Sequence, residues 1–291
     1  MSNQTKLSDY GGDFIIARWP APGVLLLALN RSPMKFSTAF WRSLASNFKR
    51  VRNDPNVKVV ILCSNTNSFT VGLDLKEDGI SLTGTDPARK TLLFRDHIIE
   101  FQNSISTIED CERPVIAAIH GICFGLGVDI ISSCDIRVCD SETKFSIKEV
   151  DASMAADIGT LQRLPKKTGN DSLLRQLALT ARTFGFKEAC ELGLLSESQV
   201  VRGGKEAVWT RAIELGREIA EKSPIAVLGT KHLLNYSIDH TIKDGLQYTS
   251  IWSSFALQAD DVKQSIDRIT SSFSNPKKNL EQINFKPLAK L

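Results

Sequence analysis

The sequence has no apolar stretch of the length and purity that a membrane span requires. Its most apolar window, residues 115–131, contains His120, Asp129 and three glycines, whereas a spanning helix needs about 20 predominantly apolar residues. That window is typical of a buried strand followed by a turn and a helix. Residues 1–14 also lack the apolar core of a secretory signal and the Arg-rich, acid-poor composition of a mitochondrial presequence. We therefore expect neither a membrane span nor a leader of those types.

A strong excess of one charge is also missing, since 36 Lys and Arg residues face 33 Asp and Glu residues, for a net charge of +3. So small an excess is not typical of a nucleic-acid-binding protein. The four histidines form no HExxH pattern and the six cysteines form no CxxC pair, so we expect no metal site. Free thiols and a reducing compartment are expected. The cysteines are Cys63, Cys111, Cys123, Cys134, Cys139 and Cys190.

Short apolar runs bounded by turn residues alternate with helical patterns in the first half of the chain. Strands are predicted at residues 24–29, 57–63, 115–119, 136–139 and 145–147, and helices at residues 37–51 and 92–108. Residues 81–89 are polar and predict a surface loop. The alternation favours an α/β fold with a mostly parallel sheet covered by helices.

Helical patterns dominate the C-terminal third. They occupy residues 173–180, 187–192, 205–222, 224–235 and 241–269. In the last of these the apolar residues exceed one narrow stripe, which indicates burial against a neighbour. We therefore divide the chain into an α/β core at residues 1–200, a helical oligomerisation region at 201–274 and an extended tail at 275–291.

Two glycine-containing turns follow predicted strands. The first is FTVGLDL at residues 69–75, and the second is HGICFGLGVD at residues 120–129. Glycine lets the backbone approach a ligand closely, and a helix that follows such a turn presents unpaired N–H donors at its start. Neither turn fits the GxGxxG or Walker pattern of nucleotide-binding loops. Taken alone, each is better explained as a tight connection between a strand and a helix than as a ligand-binding turn.

Two acids, Glu149 and Asp157, lie in a segment otherwise rich in small and apolar residues. Carboxylates withdrawn from water have raised pKa values and suit proton transfer near neutral pH. The alternative is structural: Asp157 caps a short helix, and Glu149 pairs with Lys148 or a nearby arginine. These residues alone leave both interpretations open.

Together these segments resemble the crotonase (enoyl-CoA hydratase/isomerase) superfamily over residues 14–269, and the 3,5-2,4-dienoyl-CoA isomerases most closely. The runs similar to that family are FTVGLDL, HGICFGLGVD, CDIRVC, KEVDASMAADIGTLQRLPKKTGN and SPIAVLGTK. The resemblance implies a crotonase-like spiral of repeated strand-strand-helix units with a helical C-terminal oligomerisation region. It also implies a homotrimer or homohexamer and an acyl-CoA thioester substrate. Coenzyme A would then be part of the substrate, and no separate cofactor is expected.

The resemblance implies a role for each candidate residue. Glu149 and Asp157 would act as the two acid/base groups, one serving carbon 2 and the other carbon 6 of a dienoyl chain. Asp129 would either take part directly or only complement the helix dipole, and both roles stay open. The backbone N–H groups of Leu73 and Leu126 would hold the thioester oxygen. The residues expected to line the acyl-CoA pocket are Val71, Gly72, Leu73, Asp74, Leu75 and Leu126.

Positions 126, 129 and 157 separate this chain from its relatives within that family. The family usually has three glycines where this chain has Gly125, Leu126 and Gly127, so the leucine side chain is expected to crowd the acyl chain or to demand a different backbone conformation. Hydratases typically have glycine in place of Asp157 and glutamate in place of Asp129. An enoyl-CoA hydratase is nevertheless the nearest alternative, with Asp129 and Glu149 activating a water. A non-catalytic acyl-CoA-binding or scaffold protein is disfavoured because Glu149 and Asp157 are both present.

The chain ends in Ala289, Lys290 and Leu291. This ending is similar to Ser-Lys-Leu, the tripeptide that directs proteins to peroxisomes. We therefore predict peroxisomal localisation and an import receptor as a partner, the alternative being an incidental tail.

Overall fold

The computed structural model describes residues 10–77, 86–274 and 282–288. Its strands are β1 (Ile15–Ala21), β2 (Val24–Leu29), β3 (Val59–Ser64), β4 (Val115–Ile119), β5 (Ile122–Phe124), β6 (Ile136–Asp140), β7 (Lys144–Ser146) and β8 (Val200–Val201). Its helices are α1 (Thr38–Asn53), α2 (Pro87–Asp110), α3 (Leu126–Ser133), α4 (Thr160–Lys167), α5 (Asp171–Thr180), α6 (Phe186–Leu192), α7 (Gly204–Ala220), α8 (Pro224–Ile238), α9 (Ile242–Ala256) and α10 (Asp260–Ser274).

The central sheet has six strands in the order β1-β2-β3-β4-β6-β8. Neighbouring strands are parallel except for β1, which is antiparallel to β2. Every residue of β2, β3 and β4 is buried, which explains why these strands are continuous apolar runs in the sequence. The predicted α/β fold is therefore confirmed. The sequence pattern does not predict β1, because Arg18, Trp19 and Pro20 interrupt its apolar alternation.

Two layers of helices enclose this sheet. In β2, Leu25 and Leu27 face the layer formed by α1, α2 and α3, whereas Leu26 and Ala28 face α7. Gly216 lets α7 approach closely, because a Cβ atom there would lie 3.2 Å from the side chain of a valine in β2. The core thus leaves only the strand ends and their loops to carry a site.

A second, smaller layer of strands lies at the carboxyl ends of the main sheet. Strands β5 and β7 are parallel partners, and single bridges extend this pair through Thr70 to Cys123 and through Phe145 to Phe184. A further bridge joins Phe36 to Leu73. This layer arranges the two glycine-containing turns next to each other.

Several predicted boundaries change. Helix α2 begins at Pro87, inside the predicted loop at 81–89, because Asp86 caps it by accepting from the N–H groups of Ala88 and Arg89. The part of that loop at 81–85 lies outside the described residues. Helix α4 is absent from the predictions because Pro165 lies within it.

The helix predicted at 241–269 is wrong as a single element, since it is two helices separated at residues 257–259. Asp260 and Asp261 favour a new helix start through the helix dipole, a signal that apolar periodicity does not register. None of the helices in the described ranges is long and apolar enough to cross a bilayer.

Lys231 on α8 attaches the C-terminal helices to the core. Its buried ammonium donates to the carbonyl of Arg113 at 3.0 Å and to the carboxylate of Asp135 at 2.8 Å. The same carboxylate oxygen accepts from the N–H of Val115, the first residue of β4. The lysine of the SPIAVLGTK run is therefore an anchor between α8 and the sheet.

We expect Lys231→Met to lower the free energy of unfolding by about 3 kcal/mol, because the Asp135 carboxylate loses its buried cationic partner. Lys286→Met is the matched control, since it breaks an exposed ion pair with Asp260, and exposed pairs contribute little. Urea unfolding at one protein concentration measures both variants. Equal losses in the two variants would contradict the anchoring role.

Candidate active site

The two glycine-containing turns lie side by side at the carboxyl ends of β3 and β4. The N–H of Thr70 donates to the carbonyl of Ile122 at 2.9 Å, and the N–H of Phe124 donates to the carbonyl of Thr70 at 3.1 Å. Gly72 has φ +102°, and a Cβ atom there would lie 3.4 Å from the carbonyl oxygen of Phe124. The left-handed φ therefore favours glycine at this position, whereas a Cβ atom there would make only ordinary van der Waals contact with the neighbouring turn.

Two backbone N–H groups are left free where the turns meet. Phe36 pairs with the residues on both sides of Leu73. Its N–H donates to the carbonyl of Gly72 at 2.9 Å, and its carbonyl accepts from the N–H of Asp74 at 2.8 Å. Leu126 is the first residue of α3, and its nitrogen lies 4.0 Å from the position of a Cβ atom on Gly72. Within the described ranges, neither the Leu73 nor the Leu126 N–H has an acceptor. Two such donors beside the positive end of a helix can stabilise a developing oxyanion.

The side chain of Leu126 is buried in the hydrophobic core, and its φ is not left-handed. The expectation that leucine demands an unusual backbone conformation is therefore wrong. The stricter need for glycine lies one residue later: a Cβ atom on Gly127 would lie 2.7 Å from the methyl group of Thr70 and 3.0 Å from the sulfur of Cys123.

Glu149 stands beside this pair of donors. It opens a 3-10 helix, Glu149–Ala152, after β7, and its Oε1 lies 3.4 Å from the position of a Cβ atom on Gly125. Its Oε2 is buried without a hydrogen-bond partner. Burial raises the pKa of this carboxyl above its ordinary value, and the charge of Asp157 adds to the rise. The alternative of an ion pair is not realised, since Lys148 binds Asp151 instead at 2.7 Å.

The side chain of Asp157 is exposed, whereas the sequence pattern predicts a carboxylate that is withdrawn from water. Residues 152–155 are also exposed, and Ser153 ends the 3-10 helix in a left-handed conformation. Helix α4 starts after Gly159, so Asp157 is not its cap. Gln102 donates to the Asp157 carbonyl at 2.7 Å, and Asp157 lies on the rim of a groove of about 800 Å³ between α2, α4 and α8.

Asp129 is fully buried on α3, where Oδ1 accepts from both the N–H and the hydroxyl of Thr160 at 2.7 Å each. Burial, with the charge of Glu149, raises the pKa of Asp129 to about 7. The structure thus brings Asp129 and Glu149 close together and joins Asp129 to the helix that follows Asp157.

The predicted pocket residues divide into two groups. Val71 and Leu75 have exposed side chains, as a substrate-facing role requires. Asp74 is buried instead and accepts from the guanidinium of Arg31 at 3.2 Å. Sequence reasoning missed both Arg31 and Thr160. The only local signals were the turn after β2, which contains Arg31, and the position of Thr160 at a helix start.

A metal site is not indicated by the described residues, among which no three His, Cys, Asp or Glu side chains form a cluster that could ligate an ion. The titratable groups of the site are instead Asp129 on α3, Glu149 on the 3-10 helix and Asp157 on the loop before α4, and the charge of Glu149 acts on Asp129 as that of Asp157 acts on Glu149. Their arrangement with the free N–H groups is suited to proton transfer beside an oxygen that gains charge.

Comparison with known proteins finds a family model, curated relatives and solved structures that agree with one another. A family model described as enoyl-CoA hydratase/isomerase matches residues 21–272. The mitochondrial Δ(3,5)-Δ(2,4)-dienoyl-CoA isomerase of Mus musculus is 40% identical over 266 residues, covering 90% of this chain and 80% of the mouse protein. The peroxisomal Δ(3,5)-Δ(2,4)-dienoyl-CoA isomerase of Arabidopsis thaliana is 40% identical over 242 residues, covering 82% and 84%. The crystal structure of an enoyl-CoA hydratase from Bacillus anthracis has a TM-score of 0.78 at 25% identity, covering 96% of this chain and 99% of the bacterial chain.

Proposed function

Because the chain belongs to the enoyl-CoA hydratase/isomerase family, we propose that it isomerises 3,5-dienoyl-CoA to 2,4-dienoyl-CoA in the oxidation of unsaturated fatty acids. The observation that carries the proposal is the buried, unpartnered carboxylate oxygen of Glu149 beside the free N–H groups of Leu73 and Leu126. The names of the mouse and plant relatives support the same reaction. Coenzyme A is part of the substrate, and the reaction needs no separate cofactor.

The reaction moves one proton at each end of a conjugated system. A base removes a proton from carbon 2, and the electron pair delocalises through the diene onto the thioester oxygen. An acid then adds a proton to carbon 6, which leaves double bonds at carbons 2 and 4. The N–H groups of Leu73 and Leu126 stabilise the charge on the oxygen, and losing one donor of this kind typically costs about 2.7–4 kcal/mol.

The geometry favours Glu149 as the base at carbon 2. Its carboxylate lies against Gly125, directly before the Leu126 N–H that holds the thioester oxygen, and carbon 2 is bonded to the thioester carbon. Burial raises its pKa, which makes the carboxylate a stronger base toward the proton on carbon 2. Asp157 lies eight residues further along the chain on an exposed loop, and we assign it to carbon 6, where it can be reprotonated by solvent.

The hydratase alternative needs a second carboxylate beside Glu149 to hold and activate a water. Asp129 is the only acid that the sequence offered for that role, and its Oδ1 already accepts two hydrogen bonds from Thr160. Addition of water across a 2,3 double bond, in contrast, involves no proton transfer at carbon 6 and therefore does not use the exposed Asp157. The isomerase proposal is therefore favoured over the hydratase alternative.

We expect Glu149→Gln and Asp157→Asn each to lower kcat for isomerisation by about 10²–10⁴-fold, because each removes one titratable group and keeps the side-chain shape. The two variants should differ in D₂O: Asp157→Asn keeps proton exchange at carbon 2, whereas Glu149→Gln loses it. Mass spectrometry of the recovered substrate measures that exchange.

Asp151→Asn is the matched control, because Asp151 lies on the same 3-10 helix but is exposed and bound to Lys148. Its kcat should equal that of the wild type. Wild-type isomerisation by Asp157→Asn would overturn the two-carboxylate mechanism. Conversion of 2-enoyl-CoA to 3-hydroxyacyl-CoA at a rate above that of isomerisation would favour the hydratase.

A homotrimer, or two trimers paired into a hexamer, is the assembly proposed for this chain. Helix α9 buries none of its residues within one protomer. The large apolar side chains exposed on α9, on α10 and at the residue after α9 are Ile242, Leu246, Ile251, Phe255, Leu257, Ile266, Ile269 and Phe273. Apolar surface of this extent typically marks a protein interface.

Light scattering at micromolar concentration should therefore give a multiple of three times the 32.1 kDa protomer mass. Ile251→Asp should reduce that mass, because it places a charge within the apolar surface of α9. A wild-type mass of one protomer would contradict the proposed assembly.

Peroxisomal localisation is proposed from the terminal Ala289, Lys290 and Leu291, which lie outside the described residues. The plant relative is named peroxisomal, whereas the mouse relative is named mitochondrial. An N-terminal fluorescent fusion should be punctate and coincide with a peroxisomal marker, and deletion of residues 289–291 should make it diffuse. A punctate pattern that survives the deletion would contradict recognition by a peroxisomal import receptor.

A further inference from the structure

Thr160 makes a paired hydrogen bond that connects two parts of the site. Its backbone N–H and its hydroxyl both donate to Oδ1 of Asp129 at 2.7 Å. Both residues are fully buried, Thr160 with no exposed surface and Asp129 with 1%. In such buried surroundings hydrogen bonds are stronger than in water, and leaving either partner unpaired is costly.

The two partners belong to the two elements that carry the reaction. Asp129 lies in the first turn of α3, whose first residue, Leu126, presents one free N–H. Thr160 is the first residue of α4 and follows Asp157 by three positions. The bond therefore fixes the distance between the group that holds the thioester oxygen and the loop that carries Asp157.

The rest of this loop is held by hydrogen bonds to two backbone carbonyls and by the buried side chains of Ala156 and Ile158. Gln102 donates to the Asp157 carbonyl at 2.7 Å, and Arg163 donates to the Ile158 carbonyl at 3.4 Å. Gly159 has φ +141°, and a Cβ atom there would overlap the Arg163 guanidinium. The side chain of Asp157 is exposed, so its direction depends on these backbone anchors.

The hydrogen bonds from Thr160 also stabilise the charged form of the Asp129 carboxylate. Its charged neighbours are Glu149 from the 3-10 helix and Arg163 from α4, and Arg163 is itself bound to Glu109 at 2.8 Å. Among the described residues, no Lys or Arg forms an ion pair with Asp129. Burial raises the pKa of Asp129, and the hydrogen bonds from Thr160 oppose that rise.

We infer that Thr160 is a positioning residue, which holds Asp129 through its hydroxyl and thereby sets Asp157 at the carbon 6 end of the substrate. The inference rests on the proposed isomerase function. It gives Asp129 a structural task in the reaction, distinct from the two roles that the sequence left open. A misplacement of about 1 Å can cost about 10²-fold in rate, so loss of one anchor affects the step at carbon 6 most strongly.

The test compares Thr160→Val, which removes the hydroxyl and keeps the shape and the backbone N–H, with Thr160→Ser, which keeps the hydroxyl. Thr168→Val is the matched control, because the Thr168 hydroxyl donates to the Leu164 carbonyl at 2.7 Å at the other end of α4. For each variant, kcat and KM for 3,5-dienoyl-CoA, proton exchange at carbon 2 in D₂O and the midpoint of thermal unfolding are measured.

Thr160→Val should lower kcat for isomerisation by about 10–100-fold, with KM and carbon 2 exchange within about twofold of wild type. Thr160→Ser should restore kcat, and Thr168→Val should leave it unchanged. If Thr160→Val fails to fold, Asp129→Asn replaces it, because a neutral amide is a weaker acceptor of the same shape, and the same loss of isomerisation relative to exchange is expected.

The outcomes separate this inference from the proposed function. Equal losses of exchange and isomerisation in Thr160→Val, or no rescue by serine, would reduce Thr160 to a general structural residue and overturn the inference. Wild-type kcat in Thr160→Val would overturn it as well. If Asp157→Asn itself isomerises at the wild-type rate, the assignment of carbon 6 to Asp157 has failed, whatever Thr160 does.

Discussion

The central physical constraint of this protein is a carboxylate oxygen buried without a hydrogen-bond partner. Leaving such a group unsatisfied costs about 1–3 kcal/mol or more, so it persists only where a rigid scaffold prevents the side chain from turning to solvent or to a cation. Glu149 is in this position, because β7 and the 3-10 helix hold it against Gly125 while Lys148 is engaged with Asp151. The unsatisfied oxygen is then available to a proton of the substrate.

The rest of the fold supplies that rigidity. Fully buried parallel strands fix where the turns after β3 and β4 begin, and backbone hydrogen bonds through Thr70 fix how the turns lie against each other. This contact requires glycine at 127, where a Cβ atom would meet Thr70 and Cys123, and the left-handed φ of residue 72 favours glycine there. Two N–H groups at the meeting point have no acceptor in the part of the chain that the structure describes, and Arg31 secures the turn at 69–75 through Asp74. Binding and chemistry thus share one small region at the strand ends.

The sequence predicts those parts of the molecule that depend on local pattern. Continuous apolar runs predicted β2, β3 and β4, whereas the two N–H donors were implied by the family resemblance of the glycine-containing turns and not by the turns alone. Contacts between distant residues were not predictable: Asp129 meets Thr160 across 31 positions, and Arg31 meets Asp74 across 43. The exposure of Asp157 was missed for a similar reason, since small residues around an acid indicate burial only if another element covers them. The separation of α9 from α10 was missed because no glycine or proline marks it.

The contrast between the half-buried Glu149, with its buried Oε2, and the exposed Asp157 implies two different proton sources for the two ends of the substrate. The most direct test follows a deuterium label from carbon 2. The enzyme converts 3,5-dienoyl-CoA with deuterium at carbon 2 in ordinary water under single-turnover conditions, and mass spectrometry locates the label in the product. Two separate groups predict that the 2,4-dienoyl product has ordinary hydrogen at carbon 6, because Asp157 is supplied by solvent. Deuterium transferred from carbon 2 to carbon 6 would show that one group carries the proton along the chain, and would contradict the two-carboxylate account.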